Sequence, residues 1–138
     1  MSRIKFMNTE IDNLTMQETL QAIDQLIQEN RSAYVVTPNV DHIVQLETSK
    51  ELKAVYENAS LILTDGKPLL WIAKWYGTPI KEKISGSDLF PLLCNMAAKK
   101  GYKLFFLGAA EGVAYIAAVL QIFSYLYSYC FFVVINIT

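Results

Sequence analysis

The residues in this chain whose types and spacing best suit chemistry are Asp65, Gly66, Lys67 and Pro68, which follow the apolar run Leu61-Ile62-Leu63-Thr64. A short apolar run bounded in this way reads as a buried strand, and Pro68 suits the first turn of a following helix. Asp65 is therefore expected at the carboxyl end of a strand, where open α/β sheets hold their ligands, so its carboxylate is a candidate for chemistry on a bound molecule. A second reading fits the same residues: a turn in which Gly66 takes a positive φ and Asp65 bonds its own backbone.

Other candidates are sparser. His42 is the only histidine; a histidine-based metal cluster is excluded, any Ser-His-Asp triad would need this residue, and lone histidines usually have structural roles. Lys81 and Lys83 precede Gly86 and are placed to neutralise phosphate, or to lie solvated with no function. Ser85 and Asp88 have capping-box spacing. No Asp-x-Asp pair occurs, which removes the obvious seat for a divalent cation beneath a diphosphate. If a sugar nucleotide binds here, it is thus expected to do so without metal, and no cofactor is expected. Cys94 and Cys130 fit no metal spacing, and the start of the chain lacks a secretory pattern, so a cytoplasmic location is expected.

The elements that would position these residues alternate between strand and helix. Ile4–Met7 and Ile11–Leu14 read as a hairpin around Asn8-Thr9-Glu10. Thr15 and Glu18 form a capping box for a helix from Met16 to Glu29. Ala33–Thr37 reads as a strand stopped by Pro38, and strand, helix, strand in that order suggests a crossover unit. Asn39 is expected to cap a short helix with Val40, Ile43, Val44 and Leu46 on one side. Thr48 and Glu51 read as a second capping box, for a helix with Leu52, Val55 and Tyr56 inward.

Beyond Asp65, a helix is expected over 68–76 with Leu69, Leu70, Ile72, Ala73 and Tyr76 as its apolar set, closed by Gly77 and Pro79. A further helix is expected from Leu89 to Lys100, terminated by Gly101, then a strand over 102–107 running into Gly108-Ala109-Ala110-Glu111-Gly112. Such a turn can present backbone N–H groups to a phosphate, although close packing of helix on strand explains the spacing equally well. The alternation predicts an α/β fold with a Rossmann-like, largely parallel sheet flanked by helices.

At 138 residues the chain has the length of one domain, with 12 basic and 13 acidic residues and no basic run of the kind nucleic acid requires. Nucleic acid is not an expected partner. Every charged side chain lies between Arg3 and Glu111, and none follows from Gly112 to Thr138. That asymmetry separates an ordinary charged sequence from an aromatic-rich tail.

Four stretches, taken in order, carry a resemblance: Val35-Val36-Thr37-Pro38-Asn39-Val40-Asp41, Thr64-Asp65-Gly66-Lys67-Pro68, Gly86-Ser87-Asp88-Leu89 and Phe106-Leu107-Gly108-Ala109-Ala110-Glu111-Gly112-Val113. Together they resemble the bacterial glycosyltransferase family of the wall-teichoic-acid linkage N-acetylmannosaminyltransferases. The resemblance covers about 1–118, read as the N-terminal part of a glycosyltransferase domain, with 119–138 unlike the family.

The resemblance implies transfer of N-acetylmannosamine or a related sugar from a UDP donor to N-acetylglucosamine on a polyprenyl diphosphate. The reaction would be a single inverting, metal-independent displacement at the inner face of the plasma membrane. It assigns Asp65 as general base, Thr37 and Asn39 to the pocket, and Gly108, Ala109 and Gly112 to the nucleotide-side loop. Where the family usually has an arginine before Gly-x-Asp-Leu, this chain has Lys83, which keeps the charge and loses the bidentate fork.

The tail admits two explanations. It is long enough for a membrane span yet lacks flanking basic residues on its far side. The composition change in the middle of a family motif favours a frame shift or premature end, which would leave an incomplete and inactive fold. On that view Phe131–Ile135 adds a strand or forms an aggregation-prone segment. Apolar surface uncovered by a missing half would favour a homo-oligomer. Two rival readings of the whole remain: a nucleotide-binding α/β module without catalysis, and a small membrane-anchored protein.

Overall fold

The computed structural model describes residues 3–30, 32–107, 112, 116 and 132–134. It divides into two compact units, Met1–Ser85 and Gly86–Thr138.

The first unit opens with β1 (Arg3–Phe6) and β2 (Thr9–Asp12), an antiparallel hairpin in which Ile4 faces Ile11 and Phe6 faces Thr9. The turn is Met7-Asn8, with Met7 at φ 51, and not the expected Asn8–Glu10. Burial decides this register. Ile4 and Phe6 share one strand face, and pairing Ile4 with Ile11 puts Phe6 and Ile11 together in the core.

Helix α1 (Met16–Gln28) starts from the expected capping box: Glu18 N–H donates to Thr15 Oγ1 at 3.2 Å, and Thr15 N–H donates to Glu18 Oε2 at 2.7 Å. Strand β3 (Val35–Val36) leads through α2 (Val40–Gln45) and α3 (Lys50–Glu57) to β4 (Leu61–Ile62), which pairs parallel with β3. The ladder runs past both ends of the assigned strands, because Leu63 N–H donates to the Val36 carbonyl at 2.8 Å and Asp65 N–H to the Pro38 carbonyl at 2.9 Å.

Two details of α2 and α3 differ from expectation. Ser49, not Thr48, caps α3, accepting from Leu52 N–H at 3.1 Å, so Glu51 has no capping-box role. Ile43 and Leu46 are buried on α2 and Tyr56 on α3, whereas Val40, Val44 and Val55 are exposed. Helices this short turn only a narrow face to the core.

Helix α4 (Lys67–Trp75) follows Gly66, whose φ of 104 reverses the chain, and Pro68 lies in its first turn. Its end is closed as expected: Gly77 takes φ 75, and Thr78 N–H donates to the Ala73 carbonyl at 3.0 Å. Leu69 and Ala73 enter a core with Phe6, Ile11, Ile43, Leu46, Tyr56, Ala59 and Ile62. Tyr76, expected among the inward residues, is exposed.

In the second unit α5 (Gly86–Lys100) begins three residues earlier than expected and buries Leu89, Leu93 and Ala97 at every fourth position. Gly101, at φ 72, ends it, with Tyr102 N–H on the Ala97 carbonyl at 2.9 Å. Strands β5 (Phe105–Leu107) and β6 (Phe132–Val134) pair antiparallel, Phe106 opposite Val133. A strand in the tail is thus present.

The fold is mixed α/β. In place of one largely parallel sheet, the described residues form three two-stranded sheets, of which β3–β4 is the parallel one. One side chain explains the break beside β4. The Ile62 N–H, pointing away from β3, donates at 2.9 Å to the carboxylate of Asp12 and not to a backbone carbonyl of β2. Among the described residues no helix is long and apolar enough to cross a membrane, and the remainder of the tail lies outside them.

Candidate active site

Three segments of the first unit converge at the carboxyl ends of β3 and β4. The parallel ladder ties Asp65 to the Thr37-Pro38-Asn39 loop through the Pro38 carbonyl. The next carbonyl back, that of Thr64, accepts Ile84 N–H at 2.8 Å, which brings in Lys83 and Ser85. Backbone hydrogen bonds therefore gather Asp65, Thr37, Asn39 and Lys83, four residues expected from sequence to share a site. Asp65, Thr37 and Lys83 are half-buried, and Asn39 is exposed.

Several polar groups here already have partners. Asn39 Oδ1 caps α2, accepting from His42 N–H at 3.0 Å. Lys83 Nζ donates to Ser85 Oγ at 3.4 Å. Thr64 is 2% exposed and its Oγ1 has no hydrogen-bond partner. The positive φ expected of Gly66 and the expected strand-end position of Asp65 are both present, since Gly66 has φ 104 and Asp65 ends the β4 ladder.

The segment carrying Lys83 is held from the opposite side by α1. Asn13 Nδ2 donates to the Pro79 carbonyl at 3.2 Å, and Lys81 N–H donates to Asn13 Oδ1 at 2.8 Å. Glu82 Oε2 accepts Met16 N–H at 2.7 Å at the start of α1, where a carboxylate also complements the helix dipole. Lys81, a candidate phosphate ligand by sequence, places its ammonium 3.0 Å from Glu18. The Thr15 backbone hydrogen bond, then the one from Lys81, hold the Glu18 carboxyl below its ordinary range.

His42 stacks edge-on against Tyr56, centroids 6.3 Å apart, and its Nδ1 is buried without a partner. Burial pushes the Tyr56 hydroxyl up to about 12, so it stays protonated at neutral pH. Burial also raises the Cys94 thiol, which disfavours the nucleophilic thiolate. Among the described residues no three His, Cys, Asp or Glu side chains gather as metal ligands. Gly108 and Ala109 lie outside the described residues, and Gly112 belongs to the second unit, with φ 83 and its carbonyl accepting Ile116 N–H at 3.0 Å.

The sequence reading missed Arg3 and Asp12, which fix the hairpin to the start of β4. Arg3 Nε donates to Asp12 Oδ1 at 3.1 Å, and its Nη2 donates to the carbonyls of Ala59 and Ser60 at 2.9 and 3.3 Å. It missed Asn13 and Glu82 as well. All of these act across long sequence separations, which local spacing does not signal.

Comparison with known proteins bears on the same residues. The chain is 30% identical over 112 residues to the N-acetylglucosaminyldiphosphoundecaprenol N-acetyl-beta-D-mannosaminyltransferase of Bacillus spizizenii, an alignment covering 81% of this chain and 42% of that protein. The chain thus spans about two fifths of the length of this relative. The model of the Glycosyl transferase WecG/TagA/CpsF family matches residues 4–122, a range containing Thr37, Asn39, Asp65 and Lys83, and the chain belongs to that family.

Proposed function

We propose that this protein is, or forms the N-terminal part of, a transferase moving N-acetylmannosamine or a related sugar from a UDP donor to N-acetylglucosamine on a polyprenyl diphosphate. The observation that carries this reading is the Asp65 N–H to Pro38 carbonyl bond of 2.9 Å, which fixes the backbone of a strand-end acid beside the Thr37–Asn39 loop. Membership of the family and the relative's name supply the substrate class.

In this mechanism Asp65 accepts the proton of the acceptor hydroxyl as its oxygen attacks the anomeric carbon. The bond from that carbon to the β-phosphate oxygen breaks on the opposite face, and its electron pair leaves with UDP, so the anomeric configuration inverts. Lys83 is placed as the cation facing the departing diphosphate, a point charge in place of a guanidinium fork. Thr37 and the Asn39 amide nitrogen hold the sugar. The work would take place at the inner face of the membrane that carries the acceptor.

Asp65→Asn tests the reading, because a positioned general base contributes ~10²–10⁴-fold to rate. The variant should bind UDP and melt like the parent while sugar transfer to a polyprenyl-diphosphate acceptor falls by that factor. Unchanged turnover in the variant would remove Asp65 from the chemistry. UDP binding with no transfer by the parent chain would favour a non-catalytic nucleotide-binding module.

A further inference from the structure

Helix α4 buries one side and leaves a different chemistry on the other. Leu69 and Ala73 are in the core, whereas Trp71 is 68% exposed, Trp75 85% and Tyr76 64%. Lys67, Trp71 and Trp75 recur at every fourth position, and Lys74, three residues after Trp71, borders the same stripe. From Gly66 to Lys81 the chain carries three lysines and no acidic residue. Lys81 is paired with Glu18, while Lys67 and Lys74 make no ion pair among the described residues.

Indole and phenol rings combine an apolar body with a polar edge, and they concentrate where lipid headgroups meet water. Lysines beside them are drawn to anionic headgroups, and no acid on this helix opposes that attraction. A second copy suits the face less well, since a two-fold interface pairs this patch with itself and would gather the lysines of both copies with no acid of α4 to oppose them.

We propose that this face of α4 seats the protein on an anionic lipid bilayer, with Trp71, Trp75 and Tyr76 at headgroup level and Lys67 and Lys74 against the anionic groups. The inference rests on the proposed function for its purpose, because a polyprenyl-linked acceptor is presented at a membrane. Asp65 lies two residues before α4, and the helix from Lys67 to Trp75 rises only about 12 Å. Docking α4 therefore holds the proposed base close to the bilayer surface.

Trp71 and Trp75 are the two tryptophans of the chain, so intrinsic emission reports on this face alone. The full chain is titrated with vesicles of phosphatidylglycerol and phosphatidylcholine, and with vesicles of phosphatidylcholine alone, without nucleotide sugar or acceptor. With anionic vesicles the emission should shift to the blue and resist acrylamide, an effect weakened by salt. Lys67→Gln/Lys74→Gln should partition about 30-fold more weakly. Trp71→Ser/Trp75→Ser, checked for helix content by circular dichroism, should no longer sediment with anionic vesicles.

Unchanged emission, equal partitioning onto neutral vesicles, or undiminished binding by either double variant would overturn the proposal. A blue shift that follows protein concentration without lipid would overturn it too, and would name a second copy as the occupant. These readouts involve no sugar transfer, so their failure is separate from any failure of Asp65→Asn.

Discussion

Asp12→Ala tests how the first unit is held together. Asp12 is 4% exposed, with one carboxylate oxygen on Arg3 and the other on Ile62 N–H. Removing it has two effects of unequal size. Ile62 is 2% exposed, and leaving its buried N–H without an acceptor costs ~1–3 kcal/mol. The Arg3 side chain is 33% exposed and keeps the Ala59 and Ser60 carbonyls, so its charge is not stranded. The lost ion pair then counts near the ~0–1 kcal/mol of a surface bridge. The expected loss is about 2–3 kcal/mol, most of it from the Ile62 hydrogen bond.

Two companion variants separate the contributions. Asp12→Asn keeps an oxygen for Ile62 N–H and gives up the charge and the acceptor of Arg3 Nε, so it should lose about 1 kcal/mol, less than Asp12→Ala. Arg3→Ala keeps the Ile62 bond but strands the buried Asp12 charge and gives up the bonds to the Ala59 and Ser60 carbonyls, so it should cost at least as much as Asp12→Ala. Urea unfolding followed by far-ultraviolet circular dichroism reads the difference as a midpoint shift at constant slope. If Asp12→Ala and Asp12→Asn proved equal, the ion pair would dominate and the reasoning would be wrong.

Other outcomes follow from the same geometry. Gly66→Ala should cost ~1–3 kcal/mol of stability, read as a lower urea midpoint, through backbone strain at φ 104 and ψ 137. Steric contact adds little, since an added Cβ would meet only Pro68 Cδ at 3.6 Å; a midpoint equal to the parent's would contradict this account. Acid should loosen the α1 cap and its Lys81 anchor. The Glu18 carboxyl is held below its ordinary 4.5, so its contribution is complete above that pH and fades as pH falls through the lower folded value. An acid titration of Lys81→Gln, which takes the ammonium away from Glu18, should show a weaker dependence in that window. Thr15→Ala should instead lose ~1 kcal/mol at neutral pH and keep the dependence, because the Thr15 backbone bond to Glu18 remains.

How much of this was legible in the sequence varies with the range of the interaction. The Thr15–Glu18 capping box and the Gly77 and Gly101 terminators were all readable, because caps and left-handed glycines are set within a few residues. The Asn39 cap was readable for the same reason, and the Ser49 cap was displaced by one residue because Thr48 and Ser49 are both competent. The hairpin register failed at Met7, where burial of Phe6 with Ile11 outweighed the turn preference of Asn8-Thr9-Glu10.

For the candidate site, the sequence by itself determined the strand that ends in an acid, the glycine that reverses the chain, and the lysine held back before the next helix. It did not determine that these meet. Tertiary structure alone decided that Pro38 holds Asp65 and that Thr64 holds Ile84. It decided too that the Asp12 carboxylate interrupts the sheet beside Ile62. The outward face of α4 was likewise invisible in advance, since the helix has more large apolar residues than its core-facing side covers, and which of them are covered shows only once its neighbours are in place. Periodicity and capping follow from the chain's immediate neighbours. Which carbonyl meets which N–H across tens of residues depends on how the whole unit shares its buried surface, and local sequence carries no record of that.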